Sequence, residues 1–104
     1  MVAANGFLII HQMLQGKGET AYLDAAIHIA DDVVAHSLAP EQATLHMQLD
    51  GRIVARGTGV DSILMNATAN KNEYALMAYW DHGLVYADYY FLEFGNRLLR
   101  MGLF

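Results

Sequence analysis

The chain contains no cysteine and a single proline in 104 residues, and its six lysines and arginines are outnumbered by eleven aspartates and glutamates. Without cysteine, it can form neither a disulfide framework nor a thiolate zinc site. The net charge of −5 argues against nucleic acid as a partner and against anchoring to acidic lipid, because both need a basic surface. The composition thus excludes disulfide-rich, nucleic-acid-binding and electrostatically anchored classes.

Long hydrophobic runs are also missing. No apolar stretch approaches the ~18 residues that a transmembrane helix needs. The first residues carry no basic region, and the apolar run FLII at 7–10 is too short for a signal-peptide core. We therefore expect no membrane span and no signal peptide in this chain, and both a cytoplasmic and a secreted location are compatible with it.

Apolar residues, in contrast, are in excess. They make up 55% of the chain, whereas charged residues make up 16%. A domain of this size leaves roughly a third of its unfolded surface exposed, so it cannot hide so much apolar material alone. We expect apolar helix faces that self-associate or contact other parts of a larger protein.

The first third of the chain predicts a helical hairpin. Helical apolar spacing over about 3–15 leaves hardly any polar face, and glycines at 16 and 18 suit the end of that helix. A second helix is predicted over about 19–38, ended by Pro40. The short connection implies an antiparallel pair with an inner and an outer member. The outer helix carries a polar stripe of Asp24, His28, Asp31, Asp32 and His36.

The middle of the chain is predicted to be more irregular. Alternating apolar and polar residues on either side of Asp50-Gly51 predict a short β-hairpin at about 44–56 with a two-residue turn. A short helix is predicted to begin at Ser62 and run to Met65. The apolar stretch 74–80 suits either a helix or a loop.

The C-terminal stretch predicts a third helix, from about Ala87 to Met101. Its apolar residues cover more than half of the circumference, which is typical of a helix with neighbours on at least two sides. Glu93 and Arg97 stand four apart in the favourable order. The chain is therefore predicted to be one domain, mainly α, with a short β-hairpin.

This C-terminal stretch resembles a family signature. The tract YADYYFLEFGNRL at 86–98, preceded by DHGLV at 81–85, resembles the C-terminal end of the unsaturated glucuronyl hydrolases, and its GNRLL portion resembles fungal members. The family commonly has (Y/W)-G-D-Y-Y-F-x-E-A-x-x-R-L, so Ala87 replaces a glycine and Phe94 an alanine. The segment SILMNAT at 62–68 is also similar. The resemblance is specific over about 62–104 and weaker over the residues before 62.

The resemblance implies a fold and an activity. Family members are glycoside hydrolases with a six-hairpin α/α toroid, of which this chain would be a C-terminal fragment of about two hairpins. They release 4,5-unsaturated uronic acids from lyase-generated oligosaccharides by hydrating a vinyl ether, with an aspartate as general acid and base. The resemblance implies no metal and no cofactor. Both family catalytic aspartates lie on earlier hairpins and match no residue here, so the chain is expected to be inactive alone.

Four residues are predicted to contact substrate: Asn66, His82, Asp88 and Tyr89. Asp88 is expected at the N-terminus of the last helix, the end that the resemblance places toward the substrate cleft, where a helix N-cap is the alternative. Tyr89 falls on the polar side of that helix and suits stacking on a sugar ring. His82 precedes the helix in a loop, where binding residues concentrate, although a solvated or structural histidine is the alternative.

Three further features have simpler interpretations. Asn66-Ala67-Thr68 is an N-glycosylation sequon, which matters only in a secreted protein; otherwise Asn66 is a polar loop residue. Tyr90 and Trp80 are predicted in the core, because aromatic residues at this density usually are, and stacking on a sugar ring is the alternative.

The polar stripe of the second helix suggests a metal site, since His28, Asp32 and His36 lie at i, i+4 and i+8. No fourth ligand with matching spacing is evident, so a solvated face is predicted and no metal. The alternative overall function is a non-enzymatic helical module for oligomerisation or binding, which the apolar composition permits equally well.

Overall fold

The computed structural model describes residues 1–14, 17–18, 20–41, 43–57 and 62–104. Within these ranges it has three helices and one two-stranded antiparallel sheet. The elements are α1 (Val2–Met13), α2 (Ala21–Ser37), β1 (Thr44–Met47), β2 (Ile53–Arg56) and α3 (Val85–Arg100). The prediction of three long helices with a short β-hairpin between the second and third is confirmed.

The ends of α2 follow from local chemistry. Thr20 precedes its first residue, and the Thr20 hydroxyl donates a hydrogen bond of 3.2 Å to the Asp24 carboxylate. At the other end Leu38 is extended, with φ −66° and ψ 134°. Pro40 explains this exit, because a proline disfavours the helical conformation in the residue before it. Of the two glycines predicted to end α1, residue 16 lies outside the described residues, and Gly18 has a positive φ of 70°.

The core is centred on α1, which packs against both α2 and α3. This confirms the predicted pairing of the first two helices. Asn5 is buried beside the core, where its side-chain amide donates to the Tyr90 carbonyl oxygen at 2.8 Å and to that of Met1 at 3.1 Å. The hydrogen bond to Tyr90 ties α1 directly to the backbone of α3. The buried cluster consists of Ala4, Leu8, Ala26, Phe94 and Leu98.

The third helix is covered on one side only. Its buried residues are Phe94 and Leu98, whereas Leu92 and Leu99 on the second apolar row are exposed. Among the described elements α1 alone packs closely against α3, so the expectation of helix neighbours on two sides is not met. A groove of about 410 Å³ between α2 and α3 is left open along this row. The predicted Glu93–Arg97 pair is present at 3.0 Å.

The β-hairpin stands apart from the helices. Its register places Leu45 opposite Ala55 and Met47 opposite Ile53, so one face of the hairpin is apolar. A further backbone hydrogen bond from Gln48 to Arg52 leaves three residues in the loop, which corrects the two-residue turn of the prediction. Gly51 takes the left-handed conformation, at φ 82°, that such a loop requires at its last position. Within the described residues neither strand packs against a helix.

The short helix predicted from Ser62 to Met65 is wrong. This segment forms no helix and pairs with the chain at the end of α2: Leu64 forms an antiparallel bridge with Leu38, the Ala39 amide donates to the Ile63 carbonyl oxygen at 2.8 Å, and the Met65 amide donates to that of Ser37 at 2.7 Å. Four residues cannot sustain a helix without outside support, and the extended exit from α2 offers backbone partners instead. Residues 74–80, left open between helix and loop, form an exposed loop.

The molecule exposes more surface than a folded monomer of its mass. Its accessible surface is 7842 Å², whereas about 5,800 Å² is expected for 11.5 kDa. The radius of gyration is 17.6 Å, against about 13 Å for a compact domain of this length. The surplus of roughly 2,000 Å² agrees with the predicted excess of apolar residues.

No described helix is both long enough and apolar enough to cross a bilayer.

Candidate functional site

The carboxylate of Asp88 fixes the backbone of Ile63 and Leu64, in a segment well before α3 in the chain. One of its oxygens accepts the backbone amide of Ile63 at 2.9 Å, and the other accepts that of Leu64 at 2.8 Å. Asp88 lies in the first turn of α3, but the residue before the helix is Leu84, so the prediction of Asp88 as N-cap is wrong. The helix begins four residues earlier than that prediction requires, at Val85. Both carboxylate oxygens are therefore engaged by the protein itself.

Asn66 and Asp81 form a polar pair at the surface. The Asn66 side-chain amide donates a hydrogen bond of 2.6 Å to the Asp81 carboxylate. Both residues have positive φ, 59° and 57°, a conformation that Asn and Asp tolerate better than other residues with a Cβ. Both are exposed, so the Asn66 carbonyl and the second Asp81 oxygen are available to a ligand.

His82 is anchored next to this pair. Its backbone pairs with Ala67 in an antiparallel bridge, and its Nδ1 donates to the Gly83 carbonyl oxygen at 2.8 Å. Because a carbonyl oxygen only accepts, Nδ1 carries a proton. The other nitrogen, Nε2, is buried and has no hydrogen-bond partner among the described residues. The ring also meets Tyr79 edge-on, with 6.2 Å between the ring centroids.

The two tyrosines of the signature differ in burial. Tyr89 is 58% exposed, and Tyr90 is half-buried with its ring edge-on to Tyr89, 5.3 Å between centroids. Tyr90, predicted in the core, lies outside the buried cluster and lines a groove. Trp80, predicted in the core, is exposed and lies under the Lys71 ammonium at 4.3 Å from the ring centroid. The core prediction for Trp80 is therefore wrong.

A groove of about 270 Å³ opens beside these residues, where the ends of the elements meet. It lies between the start of α1, the end of α2, residues 64–68 and the start of α3. Its volume approaches the lower end of small-ligand pockets, about 300 Å³. The side chains with polar groups that line it, among apolar residues, are those of Ser37, Asn66, Thr68, Tyr86 and Tyr90.

The structure brings the four predicted residues to the same end of the molecule but gives them different positions. Asn66 lines the groove directly. Asp88 holds Leu64, which lines it, and His82 pairs with Ala67, which also lines it. Tyr89 contacts the groove only through its neighbour Tyr90. Their roles as substrate ligands stay predictions.

The histidines and aspartate that suggested a metal site are all exposed on α2. In the part of the chain that the structure describes, no three His, Asp or Glu side chains are grouped to hold a metal ion.

Asp81 and Ser37 belong to this region but were not singled out from the sequence. Asp81 stands in DHG directly before a helix, and an aspartate before a glycine-containing turn is a weak signal for a left-handed residue. Ser37 carries no local signal at all, because it reaches the groove only through the pairing of 37–39 with 63–65.

In comparisons with known proteins, the chain matches no family model, no curated protein and no solved structure.

Proposed function

We propose that the chain forms part of the substrate cleft of a glycoside hydrolase resembling the unsaturated glucuronyl hydrolases. In this proposal α1, α2 and α3 belong to the last hairpins of a six-hairpin α/α toroid. The substrate is an oligosaccharide with a 4,5-unsaturated uronic acid at its non-reducing end. The observation that carries the proposal is a convergence at the N-terminal end of α3: Asn66 lines the groove there, and Asp88 and His82 hold two other residues that line it.

The side chains at this end of α3 are of the kinds that recognise a sugar. Asn66 and Asp81 offer hydrogen-bonding groups in a fixed relative orientation, as recognition of ring hydroxyls requires. Tyr89 adds an exposed aromatic face whose position is set by Tyr90. Asp88 fixes the backbone two residues before Asn66, so its role in the proposal is to hold the binding loop and not to react.

The uncovered flank of α3 supports a place within a larger helical assembly. Leu92 and Leu99 line an open groove with α2, and a free domain would leave this apolar row in water. Neighbouring hairpins of a toroid would cover such a row. The catalytic aspartates of the reaction would belong to those hairpins, and this chain would bind the sugar without converting it.

A calorimetric titration with a lyase-generated unsaturated disaccharide tests the proposal. The chain is expected to bind it, to bind the saturated disaccharide more weakly, and to lose binding in Tyr89→Ala. Tyr74→Ala is the matched control, because Tyr74 is an exposed tyrosine on the neighbouring loop. Absence of binding would contradict the proposed function. Loss of the double-bond absorbance, which reports turnover, would contradict the assignment of catalysis to other hairpins.

A second candidate, a non-enzymatic helical module, is favoured by the surplus of roughly 2,000 Å² of exposed surface. Such a module would form a discrete oligomer that melts cooperatively and is indifferent to the disaccharide. Size-exclusion chromatography combined with the titration above separates the two functions.

A further inference from the structure

The hydrogen bond between Asn66 and Asp81 decides which of their polar atoms a ligand meets. Asn66 Nδ2 donates to Asp81 Oδ1 at 2.6 Å, so the amide nitrogen is the atom that faces Asp81. Among the described residues, neither Asn66 Oδ1 nor Asp81 Oδ2 has a hydrogen-bond partner, and both residues are exposed. Amide and carboxylate oxygens only accept hydrogen bonds. The pair thus offers a ligand two free acceptor oxygens, one of them charged, against one remaining N–H.

The backbone fixes the pair in this arrangement. Ala67 and His82, which follow Asn66 and Asp81 in the chain, exchange two backbone hydrogen bonds of 2.9 and 3.2 Å. Asn66 and Asp81 themselves have left-handed φ values of 59° and 57°. Non-glycine residues in this region cost free energy and occur preferentially at binding and active sites. The two acceptors are therefore pre-arranged, which lowers the entropic cost of binding a ligand to them.

The charge of Asp81 is left without a cation. In the described part of the chain Asp81 forms no ion pair, and Lys71, on the same loop, lies over Trp80 instead. No lysine, arginine or histidine is among the described residues that line the groove beside Asn66. A hydroxyl would donate a strong hydrogen bond to such a carboxylate, whereas a sulfate or a second carboxylate placed against it would be repelled.

We propose that Asp81 is a specificity-determining residue: with Asn66 at its side, it accepts hydrogen bonds from two adjacent free hydroxyls of a sugar ring and rejects that ring when either hydroxyl is methylated or sulfated. This inference rests on the proposed function, because it takes an oligosaccharide as the ligand of the groove. It adds that the oligosaccharide is unsulfated at the ring that Asp81 contacts, and it gives a role to a residue outside the four predicted from the sequence.

Calorimetric titrations with substituted forms of the lyase-generated unsaturated disaccharide test this. The disaccharide is compared with derivatives in which each hydroxyl in turn is methylated or sulfated. At the two contacted hydroxyls, methylation is expected to weaken binding by about 10- to 100-fold, because it removes one hydrogen bond to the pair. Sulfation of the same hydroxyls should weaken binding further, because it adds a like charge next to Asp81.

Asp81→Asn separates specificity from a structural role. Asparagine keeps the shape, tolerates the left-handed φ and can accept the Asn66 N–H, but it carries no charge and has an NH₂ group in place of one oxygen. The variant is expected to bind the unsubstituted disaccharide about 10-fold more weakly than the wild-type chain, and the sulfated one more tightly. Asp32→Asn removes the same charge from an exposed position on α2 and should leave both affinities unchanged.

Thermal melting followed by circular dichroism checks that Asp81→Asn folds, and the wild-type comparison of the derivatives needs no variant at all. Wild-type binding that is equally tight for every derivative, or an equal loss of the unsubstituted and sulfated ligands in Asp81→Asn, would overturn the proposal and leave the proposed function standing. Absence of binding for every form would contradict the proposed function, and this proposal with it.

Discussion

Replacing Asp88 by alanine should loosen the join between α3 and the segment 62–65. The change removes both acceptors of the Ile63 and Leu64 amides, which lie 2.9 and 2.8 Å from the carboxylate. Hydrogen bonds to a charged group contribute about 1.5–3 kcal/mol when buried and less where water competes. Leu64 is buried, whereas the hydrogen bond to Ile63 is exposed, so the bond to Leu64 contributes more to the free energy of unfolding.

We expect Asp88→Ala to lower the free energy of unfolding by about 2–3 kcal/mol, most of it from the buried Leu64 amide left without an acceptor. Asp88 also lies in the first turn of α3, where a negative charge adds about 0.3–1 kcal/mol. Asp88→Asn keeps one acceptor oxygen and should lose about half as much. Asp32→Ala, an exposed aspartate on α2, is the control and should change stability by less than about 0.5 kcal/mol.

Urea denaturation measures these differences, and hydrogen exchange locates them. In Asp88→Ala the amides of Ile63 and Leu64 should exchange much faster, while those in the middle of α1 should change only with global stability. An Asp88→Ala variant as stable as Asp32→Ala, or with unchanged exchange at Leu64, would refute the assignment of Asp88 as the support of this segment.

Four further substitutions test the packing and the polar pair. Gly83→Ala should destabilise by about 1–3 kcal/mol, because the new Cβ would overlap Ser62 Oγ and lie 2.6 Å from Ser62 Cβ; thermal melting measures it. Asn66→Ala and Asp81→Ala, measured singly and together by urea denaturation, should show a coupling of about 0.5–1.5 kcal/mol, since they share one hydrogen bond. Leu98→Ala should cost about 2–4 kcal/mol in the same assay, because Leu98 is buried in the core.

Gly83→Ala and Leu98→Ala each have a control at a contrasting position. Gly95→Ala adds a Cβ that meets no atom within 4 Å, and should stabilise α3 by up to about 1 kcal/mol. Leu99→Ala, one residue beyond Leu98 and 60% exposed, should cost less than about 1 kcal/mol. If Gly83→Ala were as harmless as Gly95→Ala, or Leu98→Ala as mild as Leu99→Ala, the described packing would be wrong. Additive effects of Asn66→Ala and Asp81→Ala would show that their hydrogen bond contributes nothing.

The helices could be predicted from the sequence because their signals are local. Apolar spacing indicated α1, α2 and α3 to within a few residues, and Pro40 indicated where α2 ends. The alternation around Gly51 indicated the hairpin, although its loop has three residues and not two. In each case the residues that determine the element lie inside it or beside it.

The contacts within the candidate site could not be predicted from the sequence. Asp88 was expected at the helix start, but its partners are the amides of Ile63 and Leu64, 25 and 24 residues away, which no local pattern indicates. Another long-range contact, the pairing of 63–65 with 37–39, takes the place of the short helix predicted over 62–65. Trp80 was expected in the core because burial was inferred from residue type, whereas its burial depends on which elements are present to cover it.

The most direct test of the proposed function is a titration of the isotope-labelled chain with the unsaturated disaccharide, followed by heteronuclear NMR. The account predicts saturable shift changes at the Asn66 side-chain amide and at the backbone amides of His82 and Tyr89. The hairpin 44–56, which lies apart from the helices, should show none. Shift changes centred on the hairpin, or none at all at saturating disaccharide, would contradict it.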